Sequence, residues 1–248
     1  RSTLGGICAL ILFAFTRPKL PTKTQLIRLS VMALGVVYGF PLFVAIAMKT
    51  LPSAHGGIVL GVLPLATAVV GAIRFKERPS FAFWITAVIG SLLVITYASL
   101  NGGGGLVVED WLLFIAIASA AIGYSEGGKL SEEMSSVDVI SWALVLTLPI
   151  NVLLTYQYLD FELNSVSLSA VISFIYVGLI SMYIGFFFWY KGIAIGGIAR
   201  VGQVQLLQPF LTLIGAYFLL NEEITAMNIG FAFCVLAVVV LGKRTKAK

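Results

Sequence analysis

Gln205 and Gln208 stand three residues apart in an apolar run, VGQVQLLQPFLTLIGAYFLL, that carries no charge from Val201 to Leu220. With Thr212 they fall at i, i+3 and i+7, one face of a helix, shared with Gly202 and Pro209. Amides are costly in hydrocarbon unless they find partners or water. That face therefore predicts a solvated cavity whose polar groups hydrogen-bond a solute. A second apolar run offers a partner face with Pro64 and Thr67 among Gly57, Gly61 and Gly71. Its glycines are read first as close helix packing. Tyr38, Tyr183 and Tyr124 each join an apolar ring to a hydroxyl, which suits an amphipathic solute as well as it suits a core or an interface. Asn151 is the one strongly polar residue deep in its run, placed to bond across helices or to touch solute.

Charged groups fall at run ends. His55 and Arg200 begin the two proline runs, and a helix start already favours an anion. They are expected to flank two mouths of a pathway. Glu77 and Glu222 follow the same runs and are expected to end one helix and seat the next, whose N-caps would be Ser80 and Thr225. Glu126 and Lys129, three apart, are expected to pair, and Trp189 and Tyr190 beside Lys191 to form an interfacial belt.

No catalytic set emerges. The chain has one histidine, no paired acids within an apolar run, no His/Cys cluster with metal-ligand spacing and no phosphate-binding glycine loop. It reads as no enzyme, with no cofactor and no metal, and ATP is not hydrolysed by this chain. Cys8 and Cys234 lie in apolar runs as small packing residues.

The elements that must position these groups are long and apolar. Of 248 residues 59% are hydrophobic and 11% charged, with mean hydropathy +1.02. A soluble domain carries roughly 25% charge, so this is an integral membrane protein. Against a ruler of about 20 residues per crossing, nine runs appear: 2–16, 29–49, 53–74, 81–100, 110–129, 138–159, 168–191, 197–220 and 225–242. They lack the ten-residue alternation of a membrane barrel and are expected to be helices. The first is short, and the chain begins at Arg1, which predicts a missing first helix and a clipped second.

Basic residues orient the bundle. Placing the 17–28 loop in the cytoplasm puts fourteen of the sixteen Lys and Arg inside, leaving Arg1 and Lys49 outside. The C-terminal Lys243, Arg244, Lys246 and Lys248 are then cytoplasmic. The net charge of +5 is spread over such loops rather than gathered on one face, which excludes nucleic acid as a partner.

The two proline runs repeat. Pro64 and Pro209 differ by 209 − 64 = 145, and Glu77 and Glu222 by 222 − 77 = 145. The same register pairs Tyr38 with Tyr183, Phe43 with Phe188, Ala54 with Ala199, Gly57 with Gly202, Thr67 with Thr212 and Ser80 with Thr225. The alternating topology runs the copies in opposite directions. Residues 1–100 form the first, the glycine-rich 101–109 a linker, and 110–248 the second with its basic tail. Inverted repeats with interrupted helices at matching positions mark secondary transporters, the site lying where the copies meet. Each proline is expected to free the carbonyl four residues earlier, Leu60 and Gln205.

PLATAVVGAIRFKERPS (64–80), QPFLTLIGAYFLLNEEIT (208–225) and GYSEGGKL (123–130) together resemble the EamA-type family of the drug/metabolite transporter superfamily, over essentially the whole chain. The resemblance implies a ten-helix bundle of two inverted five-helix repeats, a central cavity and alternating access. It implies a small-molecule substrate: an amino acid-like or other small organic solute, moved outward across a bacterial cytoplasmic (inner) membrane. Efflux of hydrophobic cations or drugs is the alternative, and a channel a more distant one. The last helix of each copy, 81–100 and 225–242, is nearly all apolar and faces lipid or a second subunit of a homodimer.

Overall fold

A computed structural model describes residues 1–51, 56, 59–100, 107–157, 167–220 and 225–244. Among these the chain is all-helical, in nine helical segments: α1 (Ser2–Thr16), α2 (Lys23–Ala47), α3 (Leu63–Arg74), α4 (Phe81–Leu100), α5 (Asp110–Leu130), α6 (Ser136–Gln157), α7 (Leu168–Gly196), α8 (198–220) and α9 (Ala226–Arg244). Among the described residues α2, α5, α6 and α7 are long and apolar enough to cross a bilayer. In lipid every backbone amide must bond within the chain, which helices achieve locally. Phe15, Phe81 and Ile195 on the outer surface stay open to a hydrocarbon surround.

Helix starts follow the short polar residues. Thr22 and Gln25 form a reciprocal capping box on α2, and Ser167 caps α7 through the Ala170 amide. Ser80 accepts from the Phe83 N–H at 3.2 Å and Thr225 from the Asn228 N–H at 3.3 Å, so both expected caps form. They stand 225 − 80 = 145 residues apart.

The long helices are not regular, and their irregularities keep the same offset. α2 carries a π-helical stretch at Leu34–Gly39 and α7 one at Tyr176–Ile184, ending 184 − 39 = 145 residues apart. The sequence predicts interrupted helices in the proline runs 53–74 and 197–220, and the structure breaks both. A turn at Gly61 and Val62 precedes Leu63, and a 3₁₀ stretch, Gln203–Leu207, precedes Gln208, again 208 − 63 = 145. The cause is the proline one residue on, which cannot donate to the preceding turn. The Gln205 carbonyl does not stay free as expected: it accepts from the Gln208 N–H in a tightened turn.

α5 is the central element, packing on α2, α3 and α7, while α1 lies on α6 and α4 on α9. Its small residues permit this. A Cβ on Gly123 would lie 3.1 Å from the Met32 carbonyl and 3.1 Å from the Val36 nitrogen, so α2 and α5 touch backbone to backbone. Apolar cores fill the remaining crossings, one around Leu29, Met32, Leu144 and Tyr190, another around Tyr97, Leu206 and Phe210.

At the end where the basic residues gather, Glu126 of α5 is buried, 1% exposed, between Arg28 of α2 at 2.9 Å and Arg74 Nε of α3 at 2.6 Å. Arg28 also reaches Glu133 at 2.5 Å. Lys129 pairs with Glu132 at 2.8 Å instead of with Glu126. The reason is burial: Glu126 points into the bundle, where only guanidinium groups from neighbouring helices reach it.

Candidate functional site

α2, α5, α7 and α8 line an open cavity of about 440 Å³. α8 supplies Gln205 and Gln208, and α5 supplies Tyr124. α7 contributes Ser181, Met182, Gly185, Phe186 and Trp189, α2 contributes Val36 and Phe40, and Arg1 reaches it from the start of α1. Both π-helical stretches border the space, through Val36 on one side and Ser181 and Met182 on the other. A π turn widens the helix and commonly marks a functional position.

The wall is aromatic with a polar strip. Tyr124 lies 5.5 Å from Trp189, edge to face, and 6.1 Å from Phe186. In the same lining the Gln205 amide is buried, and among the described residues neither its Nε2 nor its Oε1 has a hydrogen-bond partner. The Trp189 Nε1 is in the same state. A buried amide without partners costs free energy in the empty protein, and the cavity is where a donor and acceptor pair could satisfy it. No carboxylate lines the described cavity, and Arg1 is its charged group.

The other sequence candidates lie apart from this space. Tyr38 donates to the Thr147 carbonyl at 3.3 Å. Tyr183 is buried, its hydroxyl 2.7 Å from that of Ser141. Asn151 donates to the Thr147 hydroxyl at 3.2 Å, within α6. Thr67 bonds back to the Leu63 carbonyl at 2.9 Å and packs on Gly202, and Pro64 is buried at the α3 start. Pro209 begins the last part of α8, but its side chain and that of Thr212 lie outside the described residues, as do His55, Gly57 and Glu222.

Arg200 sits in the first turn of α8. The anion at that helix start is the protein's own. Glu77 accepts from the Ile198 N–H at 2.8 Å and the Ala199 N–H at 2.9 Å. Glu77 thus seats a helix, as expected of it, but the helix is α8 and not the following α4. Trp189 and Tyr190 correct the interfacial reading: Trp189 lines the cavity and Tyr190 is wholly buried in the core. The signal for the α7 wall was present, since Ser181, Gly185 and Trp189 recur at i, i+4 and i+8 on one helical face.

The fold is that of a polytopic helical membrane protein with a cavity between its helices. The chain matches the EamA-like transporter family over residues 1–97 and 108–242, and it belongs to that family. It is similar to an uncharacterized transporter, YdeK, of Bacillus subtilis, 44% identical over 96% of this chain and 84% of that protein. It is also similar to a probable amino-acid metabolite efflux pump of Salmonella typhimurium, 29% identical over 91% of this chain and 78% of that one. A chain of known crystal structure superposes with a TM-score of 0.77 over 98% of this chain and 86% of the other; at 18% identity this likeness speaks for the fold.

Proposed function

We propose that this transporter exports a small zwitterionic or neutral metabolite, amino acid-like in size, by alternating access across the bacterial cytoplasmic membrane, with its C-terminus in the cytoplasm. The observation that carries the substrate reading is the Gln205 amide, buried against the cavity with donor and acceptor both without a partner among the described residues. A solute presenting an acceptor beside a donor, such as a carboxylate beside an ammonium, matches it. Ligand pockets commonly measure roughly 300–1,000 Å³, and a cavity of about 440 Å³ suits a single small metabolite. The Salmonella relative's name agrees with that class. Efflux of hydrophobic cations fits less well: Tyr124 and Trp189 offer ring faces, but the described lining offers a cation no counter-charge.

Alternating access is supported by the shared offset of the π stretches, helix breaks and caps. In this reading residues 1–100 and 110–248 are two inverted copies joined by 101–109. Gln205, Gln208 and Tyr124 bind the solute. Tyr38, Tyr183, Thr67, Pro64 and Asn151 shape the walls behind it. The outer faces of α4 and α9, with Leu92 and Phe233 exposed, suit lipid or a second copy.

The test is a thermal-shift screen of amino acids, nucleosides, sugar phosphates and hydrophobic cations beside a Gln205→Ala, Gln208→Ala double variant. A ligand at about 100 times its Kd stabilises the folded state by about 2.7 kcal/mol. A shift from amino acids that the double variant loses supports the reading. A shift from hydrophobic cations alone, or one the variant keeps, overturns it.

A further inference from the structure

The contact between Glu77 and the start of α8 joins the end of α3 to the helix that carries the cavity amides. Both oxygens of the carboxylate are engaged, each by one backbone N–H of the first α8 turn. These amides have no partner within the helix, and a carboxylate there gains both charge-assisted bonds and the helix dipole.

The surroundings are shaped for this contact. Lys76 takes a left-handed backbone, φ 57°, although it is not glycine. That conformation is disfavoured for a residue with a Cβ. It turns the chain so that the N–H groups of both Phe75 and Glu77 reach the Gly71 carbonyl at 3.2 Å. Gly71 leaves the space: a Cβ there would stand 3.0 Å from Glu77 Oε2 and 3.1 Å from Ile198 Cβ. Gly197, φ 83°, opens the α8 start, where a Cβ would lie 3.4 Å from Glu77 Oε1. One turn further in, a Cβ on Gly202 would lie 3.2 Å from Thr67 Cγ2, so α3 and α8 are closed tightly behind the carboxylate.

We infer that Glu77 is a latch that holds α3 against α8 and keeps the cytoplasmic end of the cavity shut, and that this end opens when the carboxylate leaves the amides of Ile198 and Ala199. The inference rests on the alternating-access reading. Exposure separates this contact from the neighbouring one. Glu126 is buried between two arginines, 1% exposed, so it ties α5 to α2 and α3 more firmly. Glu77 is half-buried at the bundle end, where water takes over its oxygens and the two amides on release. Gln205 lies two turns along α8 from Ile198, so release of the latch moves the wall that meets the solute.

The test uses the whole chain in vesicles, with Cys8 and Cys234 replaced by Ala and a reporter at Ser181→Cys in the cavity. A membrane-impermeant thiol reagent is applied from either face, and the ratio of cytoplasmic to external labelling rates is read. Glu77→Gln should raise that ratio about fivefold, the loss expected for a helix cap, and Glu77→Ala at least as much. An unchanged ratio in both variants, with the parent labelled from both faces, overturns the latch and leaves alternating access standing. A fall in melting temperature with an unchanged ratio also overturns it, because the contact would then be structural. Labelling from one face alone in the parent and both variants overturns alternating access itself.

Discussion

Replacing Glu126 by Gln should lower the melting temperature of the detergent-solubilised protein by about 4–8 °C. Its carboxylate is 1% exposed and takes Arg28 at 2.9 Å and Arg74 Nε at 2.6 Å. Removing one member of a fully buried ion pair costs about 3–5 kcal/mol, because the partner charge is stranded. Here the stranding is partial. Arg28 keeps Glu133 at 2.5 Å and is 22% exposed, and Arg74 is 50% exposed. Water and Glu133 recover part of the loss, leaving about 2 kcal/mol. A chain of this length shifts by about 2–4 °C per kcal/mol, which gives the figure. Glu132→Gln is the control: its pair with Lys129 at 2.8 Å is on the surface, and a loss below about 1 kcal/mol is expected. Adding Arg74→Gln to Glu126→Gln should cost less than the sum of the two, since the second change removes a charge the first has stranded. Equal melting shifts for Glu126→Gln and Glu132→Gln, or strict additivity with Arg74→Gln, would refute the reasoning.

Gly123→Ala should destabilise by about 2 kcal/mol, because the new methyl would stand 2.6 Å from Val36 Cγ2 and 3.1 Å from the Met32 carbonyl and the Val36 nitrogen, so that side chain and backbone both have to give; Gly230→Ala, with nothing within 4 Å of its Cβ, should raise the melting temperature slightly through helix propensity. Tyr183→Phe should cost about 1–2 kcal/mol by leaving the Ser141 hydroxyl without its 2.7 Å partner, while the KM for solute uptake into vesicles stays at the parent value. Gln205→Leu should divide stability from transport: the empty protein melts at or above the parent temperature, since an amide without partners among the described residues is removed, and uptake falls. A Gln205→Leu protein that melts lower and transports normally would assign the amide a structural role.

How much of this was legible in the sequence depends on what each residue answers to. Apolar runs had to be helices because lipid offers the backbone no other partner, and Ser80 and Thr225 had to cap because each is a short polar residue directly before an apolar run. Gln205 and Gln208 were visible because an amide in an apolar run has few explanations. Tyr38 and Tyr183 were not resolvable in this way. They are repeat mates of the same type, each at or near the end of a π-helical stretch. Yet their hydroxyls found protein partners on α6, Thr147 and Ser141. A tyrosine in membrane takes the nearest acceptor, and which acceptor is nearest depends on how α6 packs, a matter of helix rotation that spacing does not encode.

Glu77 shows the same limit with a different outcome. Sequence placed it beside the start of α4, and the rule that acids favour helix starts held. What decided which helix start was the left-handed turn at Lys76 and the close crossing that Gly71 and Gly202 permit, which carry the carboxylate across to α8. Local chemistry thus fixed the kind of bond, and the meeting of two distant segments fixed its partner. A bond that joins the two segments, rather than serving one of them, is also the bond that must break if they move apart. That is why the acid, and not the more deeply buried Glu126, is where motion between α3 and α8 would be felt first.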